Sequence, residues 1–355
     1  MQKKFIIKTL FFIIPMTLIF VGAWVFYAKD KGDLLRIGYL PDAFPNYPKT
    51  LLESNQNEKE TYYTLLSSRP KEGKRKVLLL GDSFTNGKEN GFQNILAKKH
   101  DVLMMDRYLV DWNPIETLIA LTKGDFFEHY AFDYVILENV EREIAVRTTV
   151  MNLDRVANIE NIHQWIIEDS LKNISSSSRQ LKIDAPPFFD QTPFIFFYNS
   201  SRFFRKNNIP FENSVFKIGI DDKTAFSTNT GFMLCYNNDI QTLEENNKLE
   251  TAEAYHQLMN EIQEKLNAYN IQLISLIAPN KYTYYYEEIS DKSIYQVPEL
   301  LKNLSKTPNK KYISIDSYNV LKSSENQTDI YYYDDSHWSP IGHRIIGEYL
   351  KKVIK

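Results

Sequence analysis

A single cysteine, Cys235, stands in 355 residues, which excludes an intramolecular disulfide and any metal site built from several cysteines. It lies among Phe232, Met233 and Leu234, the company of a buried structural thiol rather than of a nucleophile. Positive charge is not in excess either. The 42 Lys and Arg are outnumbered by 45 Asp and Glu, for a formal net charge of -3, and no basic stripe is interleaved with aromatics, so nucleic acid is excluded as a partner. His129 and His163 have no metal-like spacing to any neighbour, and neither metal nor cofactor is expected. Charge is missing altogether from residues 9–28, a stretch just long enough to cross a bilayer core as a helix.

Lys3, Lys4 and Lys8 precede that stretch and a mixed Lys29-Asp30-Lys31 follows it, a bias that leaves the amino terminus in the cytoplasm. Trp24 and Tyr27 sit near its outer end, where amphipathic rings prefer the interface. Val21-Gly22-Ala23 is small-residue-like, as at a cleaved signal peptide, but the apolar stretch exceeds the usual signal core and favours an uncleaved anchor. Both readings export everything after residue 30. The expected division is a cytoplasmic tail 1–8, a transmembrane anchor 9–28, a juxtamembrane segment 29–75 and a catalytic domain 76–355. In the juxtamembrane segment, Gly38-Tyr39-Leu40-Pro41 and Phe44-Pro45-Asn46-Tyr47-Pro48 should be extended, because proline disfavours helix in the residue before it. With 43% hydrophobic residues, the exported domain can fill a sizeable core and be stable without disulfides.

Within the domain, residues 77–80 form an apolar run of buried-strand length that breaks at Gly81-Asp82-Ser83. A helical pattern follows, with Phe92, Ile95 and Leu96 on one face. Residues 102–105 read as a second strand, and Pro114 opens a helix at its first position that ends at Gly124. Residues 133–138 are a third strand of the buried kind. Tyr255, Leu258, Met259, Ile262 and Leu266 then recur at three- and four-residue steps, an amphipathic helix. Residues 271–278 and 312–315 are further strands, and the last helix, 340–353, carries Ile346, Leu350 and Val353 inward. Strands alternating with helices predict a parallel α/β sheet. Residues 143–247 lose the alternation: they hold Ser175-Ser176-Ser177-Ser178, Pro186-Pro187 and Phe194-Ile195-Phe196-Phe197-Tyr198. An insertion packed over the carboxyl edge of the sheet, as a lid or acceptor-binding surface, is the expectation.

Two stretches carry chemistry. Strand, turn and helix hold Ser83 at the carboxyl edge of the sheet, where open α/β folds place their sites. Gly81 permits the tight turn, and a helix amino end beyond Ser83 favours developing negative charge. Taken alone, Gly-Asp-Ser is explained equally well by a helix cap. At the far end stands Tyr331-Tyr332-Tyr333-Asp334-Asp335-Ser336-His337-Trp338-Ser339-Pro340. A carboxylate two residues before a histidine can reach its Nδ1, fix its tautomer and leave Nε2 to take a serine proton. An early Ser with late Asp and His supplies the three roles of nucleophilic catalysis.

Together these stretches resemble the SGNH/GDSL hydrolase superfamily, and within it the membrane-anchored acetyltransferase-like branch related to the alginate O-acetylation proteins. Gly81-Asp82-Ser83 matches the nucleophile block and Asp335-Ser336-His337-Trp338 the late Asp-x-His-Trp motif. Val140-Glu141-Arg142 resembles a run common in that branch, as does Pro279-Asn280-Lys281 followed by tyrosines. The resemblance implies a flavodoxin-like, three-layer α/β fold with an inserted lid region and an N-terminal transmembrane helix. It also implies a catalytic Ser83, His337 and Asp335, with Asp334 as the rival carboxylate because Asp-x-x-His is the ordinary hydrolase spacing. Ordinary members place an oxyanion-binding Asn in a Gly-x-Asn-Asp block, which is missing here, as is a middle-block glycine; Asn139 is the candidate in its place. Arg142 can pair with Glu141 or Glu138 and shape the pocket, or contact an acyl or sugar oxygen. Lys281 can neutralise an acceptor's anionic group or merely lie on a loop, and Trp338 is expected beneath the imidazole. His343 is expected to be an ordinary helix residue. The implied function is O-acetylation of an exported or cell-envelope polysaccharide through an acyl-serine, with the acetyl group supplied by a multi-spanning membrane acyltransferase. A surface esterase and a catalytically silent carbohydrate-binding scaffold are the alternatives.

Overall fold

The structure is a computed structural model that describes residues 2–26, 34, 63–64, 75–85, 90–105, 113–165, 215–227, 231–333 and 335–355. The expectations for Gly38-Tyr39-Leu40-Pro41, Phe44 to Pro48, the serine run, Pro186-Pro187, the Phe194 cluster, the Trp24 and Tyr27 rings and Asp334 lie outside the described residues.

Apolar runs too short for helices become the strands. They are β1 (Tyr63–Thr64), β2 (Lys76–Leu80), β3 (Asp101–Met104), β4 (Tyr134–Val140), β5 (Val215–Gly219), β6 (Phe232–Tyr236), β7 (Gln272–Ala278) and β8 (Ile313–Ile315). Six of them form one sheet in the order β1-β3-β2-β4-β7-β8, every pairing parallel. β1 adds only two residues at an edge. The five longer strands follow the doubly wound order in which the first strand lies between the second and third, with the topological switch point between β2 and β4.

Alternation along β2 decides what each face packs against. Val77 and Leu79 point to one side, where Phe92 and Leu96 of α2 (Phe92–Ala97) meet Ile346 and Leu350 of the last helix, Pro340–Val353. Leu78 and Leu80 point to the other, toward Leu118 of α3 (Pro114–Lys123) and Tyr255, Met259 and Ile262 of the long helix Leu249–Asn267. The result is a three-layer α/β sandwich in the flavodoxin-like strand order, as expected. The strands read as continuous apolar runs because both faces are covered, and burying each such Leu or Val contributes about 1.5–3 kcal/mol.

Local signals worked where they are chemical. Asn113 Oδ1 accepts the Glu116 N–H at 3.0 Å, Pro114 occupies the first helical turn, and the helix stops at Gly124. A Cβ on Gly124 would lie 2.1 Å from the Ala157 carbonyl oxygen, so glycine is needed for a close approach of backbones. Ser83–Thr85 form a 3-10 turn, and the helix read from Phe92, Ile95 and Leu96 is there after it as α2, starting at Phe92. Its apolar periodicity starts there too, beyond the polar run that follows the serine.

Of the insertion, β5 and β6 are built into the core, while Val146, Val150, Leu153 and Val156 are exposed. Helix α4 (Ile144–Thr149) follows β4 after a 3-10 turn, Glu141–Glu143. β5 and β6 form an antiparallel pair whose Ile218, Met233, Leu234 and Cys235 belong to the same apolar cluster as Phe84 and Trp338. Cys235 is fully buried, and burial pushes its thiol far above the ordinary range. At the amino end, α1 (Gln2–Phe26) includes the segment Lys3–Gly22, of mean hydropathy 2.2, long and apolar enough to cross a membrane.

Candidate active site

The carboxyl ends of β2 and β4 lie side by side, with Leu80 in register with Leu137. Directly beyond β2, Gly81 passes flush over the next strand. A Cβ there would sit 2.2 Å from Thr85 Cγ2 and 2.7 Å from Glu138 Oε2. Glycine is thus required for the tight turn, as expected, because any Cβ would clash. The turn that follows is pinned at every step. Glu138 Oε2 accepts the Asp82 N–H at 2.9 Å, Asp82 Oδ1 accepts the Phe84 N–H at 3.2 Å, and the Asp82 carbonyl accepts the Thr85 N–H at 3.1 Å. Ser83 sits half-buried within this turn.

Asp82 itself points inward. Its Oδ2 accepts the Val140 N–H at 2.8 Å and pairs with Arg147 at 3.0 Å. Burial alone would raise its pKa, but the Arg147 guanidinium and the converging donors hold it below the ordinary carboxylate value. Arg147 also donates to Asn139 Oδ1 at 2.8 Å. Asn139, the oxyanion candidate, is fully buried on β4 with its oxygen committed to that guanidinium.

At the tail, Tyr331 and Trp338 pair as an antiparallel bridge, and the Tyr332 N–H donates to the His337 carbonyl at 3.2 Å. The chain between them is a tight hairpin. Asp335 Oδ1 accepts the His337 N–H at 3.0 Å and lies 2.5 Å from His337 Nδ1. Ser339 then caps the last helix, accepting the Ile341 N–H at 3.0 Å, with Pro340 in its first turn. Both imidazole and carboxylate are about a quarter exposed.

Phe84, one residue beyond the serine, brings the two stretches together. Its ring centroid is 5.0 Å from that of His337 and 4.9 Å, edge-on, from that of Trp338. Phe84 therefore occupies the place against the imidazole that had been assigned to Trp338. Trp338 is fully buried and packs on Phe84, Phe92 and His343. His343 is on the last helix, as expected. It is buried against Phe92 and Trp338, and burial, with the nearby His337, pushes it down to about 3, so the ring is neutral.

The other two candidates take roles their residue types did not announce. Lys281 is fully buried at the start of the short helix Lys281–Tyr285. Its Nζ donates to the carbonyls of Tyr332 and Tyr333 at 2.7 Å each and of Asp335 at 3.3 Å. The ammonium thus secures the hairpin that carries Asp335 and His337, and it does not lie on a loop facing an acceptor. Arg142 pairs with Asp239 at 3.1 Å, not with Glu141 or Glu138. It also lies 5.2 Å from the Tyr236 ring centre, a cation–π distance. Burial would lower its pKa, but Asp239 outweighs this and raises it.

Asn280, which the sequence reading passed over, joins the two motifs beside it. Its N–H donates to Glu141 Oε2 at 2.8 Å, and its Oδ1 accepts the Arg142 N–H at 3.2 Å. Burial pushes Glu141 up to about 7. Asp239 and Arg147 were also missed. Arg147 carries a weak signal, eight residues past Asn139 on the following helix, whereas Asp239 is 97 residues from its partner and had none.

An open parallel α/β sheet with a serine turn at its switch point, and an imidazole–carboxylate pair packed against that turn, is the frame of an SGNH-like domain. Comparison with protein families agrees. Residues 236–355, about a third of the chain, match the family described as SGNH hydrolase-like domain, acetyltransferase AlgX. The match spans Asp239, Asn280, Lys281 and the hairpin of Asp335 and His337, and it supports an acetyltransferase- or esterase-like function. Neither the curated proteins nor the solved structures compared with the chain gave a match.

Proposed function

We propose that the chain is a membrane-anchored O-acetyltransferase acting on an exported or cell-envelope polysaccharide through an acyl-serine. The observation that carries this reading is the contact of Phe84 with His337, which sets the Asp335–His337 pair beside the turn presenting Ser83. In the first half-reaction His337 Nε2 takes the Ser83 proton as Oγ attacks the acyl carbonyl, and the same proton then passes to the leaving group. Asp335 holds the imidazole through Nδ1 and stabilises its charged form. In the second half-reaction an acceptor hydroxyl gives its proton to His337 and attacks the acyl-serine, restoring Ser83. The backbone N–H of Ser83 is a donor for the oxyanion. Asn139 and Arg142, both tied down by buried partners, shape the pocket behind it.

Transfer requires that a sugar hydroxyl beat water, through positioning and exclusion of solvent. The apolar helix α1 supports display of the domain on the extracytoplasmic face, and a multi-spanning acyltransferase partner would bring the acetyl group across the membrane. The test is acetate release from p-nitrophenyl acetate by the full chain in detergent, with and without oligosaccharide acceptors. Acceptor-dependent acetylated product supports transfer, acetate alone supports the esterase reading, and binding without turnover supports a scaffold. Ser83→Ala and His337→Ala should each lower turnover by about 10⁴- to 10⁶-fold. Activity retained in both variants would reject the assignment.

A further inference from the structure

Glu138 is an anomaly beside the serine turn: a second carboxyl group, wholly buried, lying against the buried Asp82. Its Oε2 accepts the Asp82 N–H at 2.9 Å, and its Oε1 is buried with no hydrogen-bond partner among the described residues. Two carboxyls buried side by side against one guanidinium cannot both ionise, so one of the pair is a neutral acid. Arg147 decides which. Its guanidinium lies 3.0 Å from Asp82 Oδ2, and the Phe84 and Val140 N–H groups also converge on Asp82. These donors favour the charged form of Asp82, whereas Glu138 faces burial and the Asp82 charge.

We propose that Glu138 and Asp82 hold one proton between them and that Glu138, as the neutral partner, is a positioning residue for Ser83. The inference deepens the acyl-serine reading and rests on it for the kinetic consequence. Glu138 fixes the N–H before the serine, and Asp82 fixes the N–H after it. A carboxyl on each side therefore sets the direction of the Ser83 N–H and Oγ without touching substrate. The absence of a side chain at Gly81 leaves the space Glu138 needs, because a Cβ there would lie 2.7 Å from Oε2 and 2.9 Å from the Glu138 Cβ. Loss of the shared proton would place two negative charges against one guanidinium and drive the turn apart.

The charged and titratable groups around the pair are Asp82 from the serine turn, Arg147 on α4, Arg142 after β4 and Tyr255 on the long helix. Arginine stays charged throughout the working range, and burial pushes Tyr255 up to about 12. Glu141, just beyond β4, stands at about 7, so the alkaline transition that belongs to the carboxyl pair is the one that Glu138→Gln removes.

Two readouts test the proposal on the full chain. The first does not require activity: infrared difference spectra between wild type and Glu138→Gln should show a protonated-carboxyl C=O stretch in wild type at pH 8 that the variant lacks. The second is kcat and KM for p-nitrophenyl acetate across pH. Glu138→Ala should lower kcat about 10- to 100-fold with little change in KM, because displacement of a reacting group by about 1 Å costs that much. Gln can accept the Asp82 N–H and donate to the Asp82 carboxylate, so Glu138→Gln should restore most of that loss and abolish the alkaline fall in kcat. Failure of Gln to rescue, or an unchanged alkaline limb in Glu138→Gln, overturns the positioning role. Absence of the infrared band overturns the shared proton whatever the activity. Should Ser83→Ala in the same preparation leave turnover intact while the band is present, the acyl-serine reading fails, the positioning role falls with it, and the shared proton stands.

Discussion

Replacing Lys281 by methionine separates a structural cation from a substrate-binding one. Methionine keeps most of the buried length and removes the charge, so packing changes little. Three carbonyls, those of Tyr332, Tyr333 and Asp335, lose their donor. Each hydrogen bond to a charged group is worth about 1.5–3 kcal/mol. Against this, methionine no longer has to be desolvated as an ion, which returns several kcal/mol. The net loss expected is about 2–4 kcal/mol, a large part of the roughly 5–15 kcal/mol that holds a domain folded. In a large domain that lowers Tm by about 5–12 °C. Because the released carbonyls belong to the hairpin carrying Asp335 and His337, kcat should fall with it while KM for the acyl donor and acceptor stays near wild type. Thermal melting followed by circular dichroism, with steady-state kinetics on the same preparation, reads both. An unaltered Tm with a raised acceptor KM would refute the reasoning and restore Lys281 to the acceptor side.

Two further outcomes follow from buried contacts near the same turn. Gly81→Ala places a methyl 2.2 Å from Thr85 Cγ2 and should cost at least about 1–3 kcal/mol. Adding Thr85→Ser removes one clash but leaves Glu138 in place, so Tm should recover only in part, and a purely additive double variant would count against the packing argument. Glu141, at about 7 in the fold against an ordinary 4.5, must take up a proton on folding at neutral pH. Its contribution to stability is complete below 4.5 and is lost as pH rises through about 7, a change of about 3 kcal/mol at most. Urea midpoints for Glu141→Gln should therefore fall less between pH 5 and pH 8 than those of wild type, by about that amount. Equal slopes in the two proteins would exclude a protonated Glu141.

Elements were legible wherever a local rule governs them. Pro114 and Gly124 marked both ends of α3, and Pro340 opened the last helix, because proline and glycine act within one turn. The five longer strands of the parallel sheet were legible from unbroken apolar runs, and their alternation with helices implied the parallel order; β1, β5 and β6 were not read. Ser83, Asp335 and His337 were named from spacing and resemblance. The Asp335–His337 contact is short-range, within two residues, and so was readable. Misjudged side chains were those whose partner is remote in sequence. Lys281 bonds carbonyls 51 to 54 residues away, and Arg142 reaches Asp239 across 97. A charged residue looks alike in a linear chain whether it faces solvent or a buried carbonyl, and only the partner's position tells the two apart.

By itself the chain's order of residues determined an apolar amino-terminal helix, a parallel α/β sheet and the approximate places of Ser83 and of the Asp335–His337 pair. Those properties depend on backbone propensity and on the period of apolar positions, both of which are local. Tertiary structure alone decided that Phe84 packs on the imidazole, that Lys281 secures the hairpin, that Arg142 chooses Asp239 and that Glu138 meets Asp82. Each of these is an electrostatic or packing choice made in a medium of low dielectric, where the nearest opposite charge or ring wins, and folding is what makes it nearest.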